Sequence, residues 1–198
     1  FGMRAVIAMP ADTPAIKTGN VEALGAEIVA FDRFRDDRMA VVRPYVEDGM
    51  VLVPPFDDPA VVAGQGTVGL ELAEQAEAAE AGLDMVLVLA AGEIVANRPG
   101  HASLCDAILT AAPGAIPFAI NRGRLAGALT VTDGAALAAM RTAAEHLKLV
   151  VEPGGAVALA ALSLPGLDIA GKTVAVVLSG GNVDPALLGR ALGGACDR

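Results

Sequence analysis

Short apolar runs alternate with longer helical patterns along the whole chain. Strands are predicted at 4–8 (RAVIA), 27–31 (EIVAF), 50–53 (MVLV), 84–89 (DMVLVL) and 173–178 (TVAVVL). Strands that are apolar throughout belong to parallel sheets buried on both faces. The alternation therefore favours an α/β fold in which parallel twisted sheets carry helices on both faces.

The helices predicted between these strands carry start and stop signals. Pro14 stands in the first turn of a helix that Gly25 ends, and Asp184 and Pro185 open the last helix as N-cap and first residue. Further helices are predicted over 35–46, 60–81 and 156–162.

Two helices have features of their own. The 130–148 stretch contains an amphipathic helix, for which Thr132 or Asp133 is the expected N-cap. Its apolar face has spacings of three, four and three residues and consists of Leu137, Met140, Ala144 and Leu147. The 60–81 helix contains three glycines, which lower helix propensity and predict close approach of another backbone: Gly64, Gly66 and Gly69.

Composition excludes several classes of protein. The 198 residues are enough for one domain, or one domain and part of another. The net charge of −9 comes without a basic patch, which argues against a nucleic-acid partner. No apolar run approaches the roughly 20 residues that cross a bilayer, and Cys105 and Cys196 lack metal or redox spacing. We therefore expect a cytoplasmic protein with no membrane partner.

Five segments follow one another in an order that resembles one enzyme family. The most specific are 54–75 (PPFDDPAVVAGQGTVGLELAEQ), 147–162 (LKLVVEPGGAVALAAL) and 176–184 (VVLSGGNVD), and 4–32 and 103–133 accompany them. Together they resemble the pyridoxal-phosphate-dependent serine/threonine dehydratases of fold type II, a family that includes serine racemase. The resemblance implies a pyridoxal 5′-phosphate cofactor, part of a small domain at 1–54 and a large cofactor-binding domain at 55–198.

The resemblance also implies roles for particular residues. Ser179 matches the serine whose hydroxyl bonds the pyridine nitrogen, where a neutral group leaves the ring a milder electron sink than a carboxylate would. Glu152 matches an acid beside the ring and is expected to be an auxiliary catalytic residue. Gly154, Gly180 and Asn182 are expected at the cofactor, Gly180 giving the ring room and Asn182 mainly shaping the turn. Two other interpretations stay open: Ser179 as a turn cap, and Glu152 as a partner of the helix start.

The other polar residues of note are predicted to be structural. Asp57 and Asp58 are adjacent carboxylates, but the sequence PPFDDP favours turn and N-cap roles, so no metal site is expected. His101 and His146 have no partner in the motifs and are predicted to lie on the surface.

Two parts of the family pattern are absent. The family's Schiff-base lysine stands in a Ser-Phe-Lys setting, which none of Lys17, Lys148 and Lys172 matches. The glycine run that binds the cofactor phosphate should follow DMVLVL, where Ala90-Ala91-Gly92-Glu93 stands instead. We expect a missing N-terminal region and a missing segment near 90–91. Either the chain truly lacks these parts, or it is the ordered part of a complete enzyme, which is the favoured alternative.

The activity that the resemblance implies is dehydration of a β-hydroxy amino acid. L-Threonine would give 2-oxobutanoate and ammonia, and L-serine would give pyruvate and ammonia. Serine racemase and 3-hydroxyaspartate dehydratase are the alternatives within the family. A catalytically dead member that acts as a binding or scaffold subunit is the alternative of another class. The expected partners are a small amino-acid substrate and further copies of the chain, as a homodimer or homotetramer.

Overall fold

The computed structural model describes residues 2–83, 85–87, 103–108 and 112–193. Two units separate along the chain, Phe1–Val53 and Pro54–Arg198. The roles predicted for 1–54 and 55–198, as part of a small domain and as the cofactor-binding domain, stay predictions.

The first unit is a strand–helix–strand segment followed by a second helix. Its strands are parallel, with Val6 opposite Glu27. Gly25 ends the first helix with a φ of +80°, which glycine adopts without strain, as the sequence predicts. Asp37 caps the second helix by accepting a hydrogen bond from the backbone N–H of Met39 at 2.8 Å. The elements are β1 (Val6–Pro10), α1 (Ala15–Ala23), β2 (Glu27–Phe31) and α2 (Arg38–Glu47).

The strand predicted at 50–53 is not formed. The backbone there has no strand assignment, and the side chains of Val51 and Val53 are 87% and 72% exposed. An apolar run becomes a strand only where a neighbouring strand bonds to it and a packed surface covers it. Neither is present around these residues in the described part of the first unit, so the prediction is wrong.

The second unit contains a second parallel strand pair and most of the helices. Met85 pairs with Val174 and Leu87 with Val176, so both strands run into the same edge of the pair. The predicted strands DMVLVL and TVAVVL are thus confirmed in part, while 84, 88 and 89 lie outside the described residues. The elements are α3 (Pro59–Ala78), β3 (Met85–Leu87), α4 (Ala115–Asn121), α5 (Asp133–Thr142), α6 (Pro153–Ala161), β4 (Val174–Val176) and α7 (Pro185–Leu192).

The core of the second unit lies where α5 packs against α6 and α7. Small side chains let these helices approach closely, and one methionine, Met140, fills the space between them with none of its surface exposed. Leu178 and Val183, on either side of the segment that follows β4, pack against the same core. Its buried members are Leu137, Ala139, Met140, Ala143, Val151, Ala156, Ala160 and Ala191.

The end of the α5 helix departs from the predicted amphipathic face. Leu137 and Met140 are buried as predicted, but Ala143 replaces Ala144 in the core and Leu147 is 50% exposed. Ala136, Met140 and Ala143 share one face at ordinary α-helical spacing, and a π-helical turn at Ala143–Leu147 then widens the helix before Leu147. The turn ends at Lys148 in the left-handed conformation, with a φ of +60°.

The two adjacent aspartates at the start of α3 both act as caps, which confirms the structural interpretation. Asp58 is the N-cap of α3 and accepts from the backbone N–H of Ala60 at 2.8 Å. Asp57 accepts from the backbone N–H of Ile116, in the first turn of α4, at 2.6 Å. Asp57 therefore joins the beginnings of two helices that are distant in sequence.

The glycines of α3 do not have the role predicted for them. A Cβ atom built on Gly64, Gly66 or Gly69 meets nothing within 4 Å among the described residues, so no other backbone approaches there. None of the 20 residues of α3 is buried. In the described stretches of the chain, no helix combines the length and apolar character needed to cross a membrane.

Substitution of Gly66 by alanine is expected to raise the free energy of unfolding by about 0.5–1 kcal/mol. Alanine loses less backbone entropy than glycine when a helix forms, and the site has space for the methyl group. Urea unfolding followed by circular dichroism measures the change, with Ala63→Gly as a control of opposite sign. Destabilisation by Gly66→Ala would show that another backbone does pack against α3.

Candidate functional site

The candidate site is the turn Ser179–Asn182, which connects β4 to α7. Ser179 lies three residues after β4, on the edge to which β3 and β4 both run. Ligands of parallel α/β sheets bind at this carboxyl edge. The side chains of Ser179 and Asn182 are exposed, whereas Leu178 and Val183 pack into the core at either end. The core thus fixes both ends of a turn that presents polar groups.

The start of α7 holds the far side of the turn, as predicted. Asp184 is the N-cap and accepts from the backbone N–H groups of Ala186 at 2.7 Å and Leu187 at 3.3 Å. Pro185 occupies the first helical position, where its missing N–H leaves no bond unmade. The turn therefore leads directly into a well-capped helix.

Glu152 lies beside the turn, at the N-cap position of α6. Its backbone N–H donates to the carbonyl oxygen of Gly180 at 2.9 Å, and its own carbonyl accepts from Ala156 N–H at 3.0 Å as α6 begins. Its carboxylate makes no cap hydrogen bond to α6 and points towards Gly180 instead. Both interpretations of Glu152, as a partner of the helix start and as an auxiliary catalytic residue, stay predictions.

Close packing explains why glycines occupy the turn, and sequence reasoning missed this explanation. A Cβ atom on Gly180 would overlap Oε1 of Glu152, and one on Gly181 would lie 2.7 Å from the carbonyl oxygen of Val150. On the opposite side, a Cβ atom on Gly155 would lie 2.8 Å from both N and O of Gly180. The signal that pointed to this contact is the pair of glycines in the first turn of α6, a position where glycine weakens a helix.

Gly154 is buried but faces a different neighbour. A Cβ atom there would lie 3.3 Å from Cβ of Ala107 and 3.7 Å from Cγ2 of Ile108, in the 3-10 turn Asp106–Ile108. The structure therefore brings Ser179, Gly180 and Asn182 together with Glu152, while Gly154 packs on the far side of the α6 start. Contact of Gly154 with a cofactor stays a prediction.

The segment that carries this 3-10 turn is tied to the first residue of α5. Asp133 accepts from Ser103 Oγ at 2.6 Å and from Leu104 N–H at 3.1 Å, while Thr132 caps the helix. Cys105 is buried beside this network, and burial raises the pKa of its thiol above the ordinary value. The raised pKa keeps the thiol protonated, as is usual for a structural cysteine.

Two of the three lysines are bonded to residues close to them in sequence. The ammonium group of Lys148 donates to the carbonyl of Glu145 at 2.6 Å, and that of Lys172 donates to Asp168 O at 2.8 Å and Oδ2 at 3.0 Å. Lys17 lies on α1, in the other unit. His146 is exposed, as predicted, whereas His101 and the predicted join at 90–91 lie outside the described residues.

The chain has relatives of known activity. It is 34% identical to L-threo-3-hydroxyaspartate ammonia-lyase of Saccharomyces cerevisiae, over 91% of this chain and 66% of that protein. It is 30% identical to serine racemase of Schizosaccharomyces pombe, over 93% of this chain and 68% of that protein. The chain thus spans about two thirds of the length of these relatives.

Solved structures of enzymes with similar names also match this chain over most of its length. The crystal structure of T.th. threonine deaminase matches with a TM-score of 0.83 and 33% identity, covering 92% of this chain and 71% of that one. Maize serine racemase matches with a TM-score of 0.82 and 26% identity, covering 96% and 70%. These matches confirm the predicted α/β fold as that of the fold type II pyridoxal-phosphate enzymes.

The alignments also contain positions that have no counterpart in this chain. The alignment with the yeast ammonia-lyase runs over 216 residues, but 91% of this 198-residue chain is about 180, which leaves about 36 positions unmatched. The family model of pyridoxal-phosphate-dependent enzymes matches in two pieces, residues 1–96 and 84–180. Since these pieces together account for most of the sequence, the chain belongs to the family of pyridoxal-phosphate-dependent enzymes.

Proposed function

We propose that this chain forms part of the active site of a pyridoxal-phosphate-dependent ammonia-lyase that dehydrates L-threonine, L-serine or both. The products would be 2-oxobutanoate or pyruvate, with ammonia. The observation that carries the proposal is the exposed hydroxyl of Ser179 at the carboxyl edge of the β3–β4 pair, beside Glu152. Similarity to proteins named threonine deaminase and L-threo-3-hydroxyaspartate ammonia-lyase supports it.

The chemistry of the turn fits the cofactor. Its polar side chains are the hydroxyl of Ser179 and the amide of Asn182, both neutral, so a pyridine nitrogen beside Ser179 would meet a neutral hydrogen-bond donor, while the Glu152 carboxylate is directed at Gly180. When bound, the cofactor supplies an electron sink for the charge left at Cα after proton removal. We propose that Ser179 holds the ring nitrogen and that Gly180, Asn182 and Gly154 line the site.

Each residue of this chain then has a limited task. Ser179 would orient the ring by donating a hydrogen bond to its nitrogen, and a neutral donor there would suit an elimination reaction. Glu152 stands beside the turn with its carboxylate directed at Gly180, where it can hold a proton near the ring. None of Lys17, Lys148 and Lys172 stands in the Ser-Phe-Lys setting of the family's Schiff-base lysine, so we propose that a lysine outside this sequence supplies it.

We also propose where the unmatched positions belong. The two pieces of the family match meet at 84–96, directly after β3 and at the place where the phosphate-binding glycines are expected. A segment of about 36 residues at this point would supply the glycine run and further strand and helix. Asp-N digestion of the natural protein tests this, because a joined chain yields the peptide 84–105 with the mass of the sequence given.

The activity itself is tested by product analysis. The natural protein, including any segments that this sequence lacks, is incubated with pyridoxal phosphate and, separately, L-threonine, L-serine, D-serine and L-threo-3-hydroxyaspartate. Formation of 2-oxobutanoate from L-threonine or of pyruvate from L-serine supports the proposal. Formation of D-serine from L-serine would indicate a serine racemase. Formation of oxaloacetate from L-threo-3-hydroxyaspartate would indicate a 3-hydroxyaspartate dehydratase. If no product forms and no cofactor-dependent absorbance appears, the chain is a non-catalytic binding or scaffold subunit.

A homo-oligomer, dimer or tetramer, and a cytoplasmic location are part of the proposal. Large apolar side chains such as Leu24 and Val51 are 88% and 87% exposed, which favours contact with further protein surface. Cys105 is a free thiol, as is usual in a reducing compartment. Light scattering on the eluted protein gives the number of copies, and a monomer would contradict the oligomer.

A further inference from the structure

The turn after β4 and the segment that leads into α6 approach each other so closely that three positions leave no room for a Cβ atom. Three glycines meet there: Gly180 and Gly181 on the turn, and Gly155 in the first turn of α6. Together with Val150 and Glu152, they form what we call the glycine crossing. Gly155 is buried, whereas Gly181 is exposed, so the crossing reaches from the core to the surface.

The three glycines are not equally replaceable. A methyl group on Gly155 would lie 2.8 Å from N and O of Gly180, and one on Gly181 would lie 2.7 Å from O of Val150. Real Cβ atoms essentially never approach other atoms closer than 3.0 Å, and the obstacles here are backbone atoms that no rotamer change removes. At Gly180 the obstacle is the carboxylate end of Glu152, which can rotate. Positions 155 and 181 therefore require glycine more strictly than position 180.

A shift of Gly180 has to be taken up within the turn. Leu178 and Val183 pack into the core on either side, which prevents the whole segment from sliding. Two hydrogen bonds fix the backbone between Leu178 and Val183. Glu152 N–H donates to Gly180 O at 2.9 Å, and Val183 N–H donates to Gly181 O at 3.0 Å. Since Ser179 is bonded directly to Gly180, its hydroxyl moves with any displacement at the crossing.

We propose that Gly155 is a positioning residue, which fixes the location of the Ser179 hydroxyl through Gly180 without touching a ligand itself. Glycine favours the helical conformation of α6 less than alanine would, and the approach of Gly180 is the contact that requires it. The claim that Gly155 fixes the position of the turn rests only on the contacts at the glycine crossing. The part that concerns the cofactor rests on the proposed function of Ser179.

Amide hydrogen exchange tests the claim about the position of the turn without any ligand. Gly155→Ala is compared with Gly189→Ala, a helix glycine of α7 whose added methyl meets nothing within 4 Å among the described residues. We expect exchange of the Glu152 and Val183 amides, the two donors at the crossing, to become at least ~10-fold faster in Gly155→Ala. The control should leave both rates unchanged. Unchanged rates in Gly155→Ala would overturn the proposal.

A second variant covers the case in which Gly155→Ala does not fold. Gly181→Ala strains the same crossing from its exposed side, where the turn can move outwards while the core stays intact. Faster exchange at Glu152 and Val183, with the amides of α5 still protected, supports the proposal. Loss of α5 protection in both variants would overturn it, because Gly155 would then hold the core and not the turn.

A double-mutant cycle tests the link to Ser179. Dissociation constants for pyridoxal phosphate are measured by equilibrium dialysis for Gly155→Ala, Ser179→Ala and the double variant. We expect each single variant to weaken binding by on the order of 10-fold, and the double variant to bind no more weakly than Ser179→Ala. Additive losses would overturn the positioning role. If the unaltered protein does not bind the cofactor, the proposed function fails, while the exchange data still decide on the crossing.

Discussion

Replacement of Met140 by alanine is expected to lower the free energy of unfolding of the second unit by about 2–5 kcal/mol. Met140 is the largest fully buried side chain among the described residues, and it lies where α5, α6 and α7 meet. Five of the other seven buried residues of this core are alanines, whose side chains cannot move to fill the space it leaves. Urea unfolding followed by circular dichroism measures the loss.

Two further variants separate packing from other effects. Met39 lies on α2 with 48% of its surface exposed, so Met39→Ala should change stability by no more than about 0.5 kcal/mol. Met140→Leu keeps nearly the same volume and should cost less than about 1.5 kcal/mol. Equal losses from Met39→Ala and Met140→Ala would show that the helix core is not the main source of stability.

Ser179→Ala is expected to weaken binding of pyridoxal phosphate by on the order of 10-fold and to leave stability unchanged. The hydroxyl is exposed on the turn, so its removal leaves no buried group without a partner, but a bound ring nitrogen would lose its donor. Equilibrium dialysis gives the affinity, and thermal unfolding without cofactor gives the stability.

The control for this prediction lies at the other end of α6. Ser163 is also exposed, and Ser163→Ala should change neither quantity. Ser179→Thr keeps a hydroxyl and should retain more of the affinity than Ser179→Ala. Unchanged affinity in Ser179→Ala would mean that the serine shapes the turn and does not contact the ring.

The sequence was sufficient to predict helix ends that depend on residues close to them in the chain. Pro14 and Gly25 bound α1, Asp184 caps α7, and Asp58 caps α3, each through bonds within a few residues. The run at 50–53 was misleading because pairing of a strand depends on a neighbour that no local pattern reveals. The π-helical turn after α5 is likewise not visible in the local pattern, and Leu147 at its end is half exposed although its spacing predicted burial.

The candidate site was predictable in its residues but not in its contacts. The motif around Ser179 indicated the turn, and the acid at 152 indicated its neighbour. The approach of Gly155 to Gly180 joins positions 25 residues apart, and only three-dimensional packing creates it. Gly180 was therefore interpreted as space for a ring, although the structure places the Glu152 carboxylate against Gly180 and the backbone of Val150 against Gly181.

The number of residues that separate the two strands of each pair has a consequence for the order of folding. Val6 pairs with Glu27, 21 positions later, whereas Met85 pairs with Val174, 89 positions later. Chain-closure entropy makes the second pairing costlier by about 1.3 kcal/mol, so the β1–β2 pair should form before β3 meets β4. An insertion of about 36 residues between β3 and β4 would add only about 0.3 kcal/mol to that cost. The late pairing of β3 with β4 is thus nearly insensitive to the length of chain that separates them.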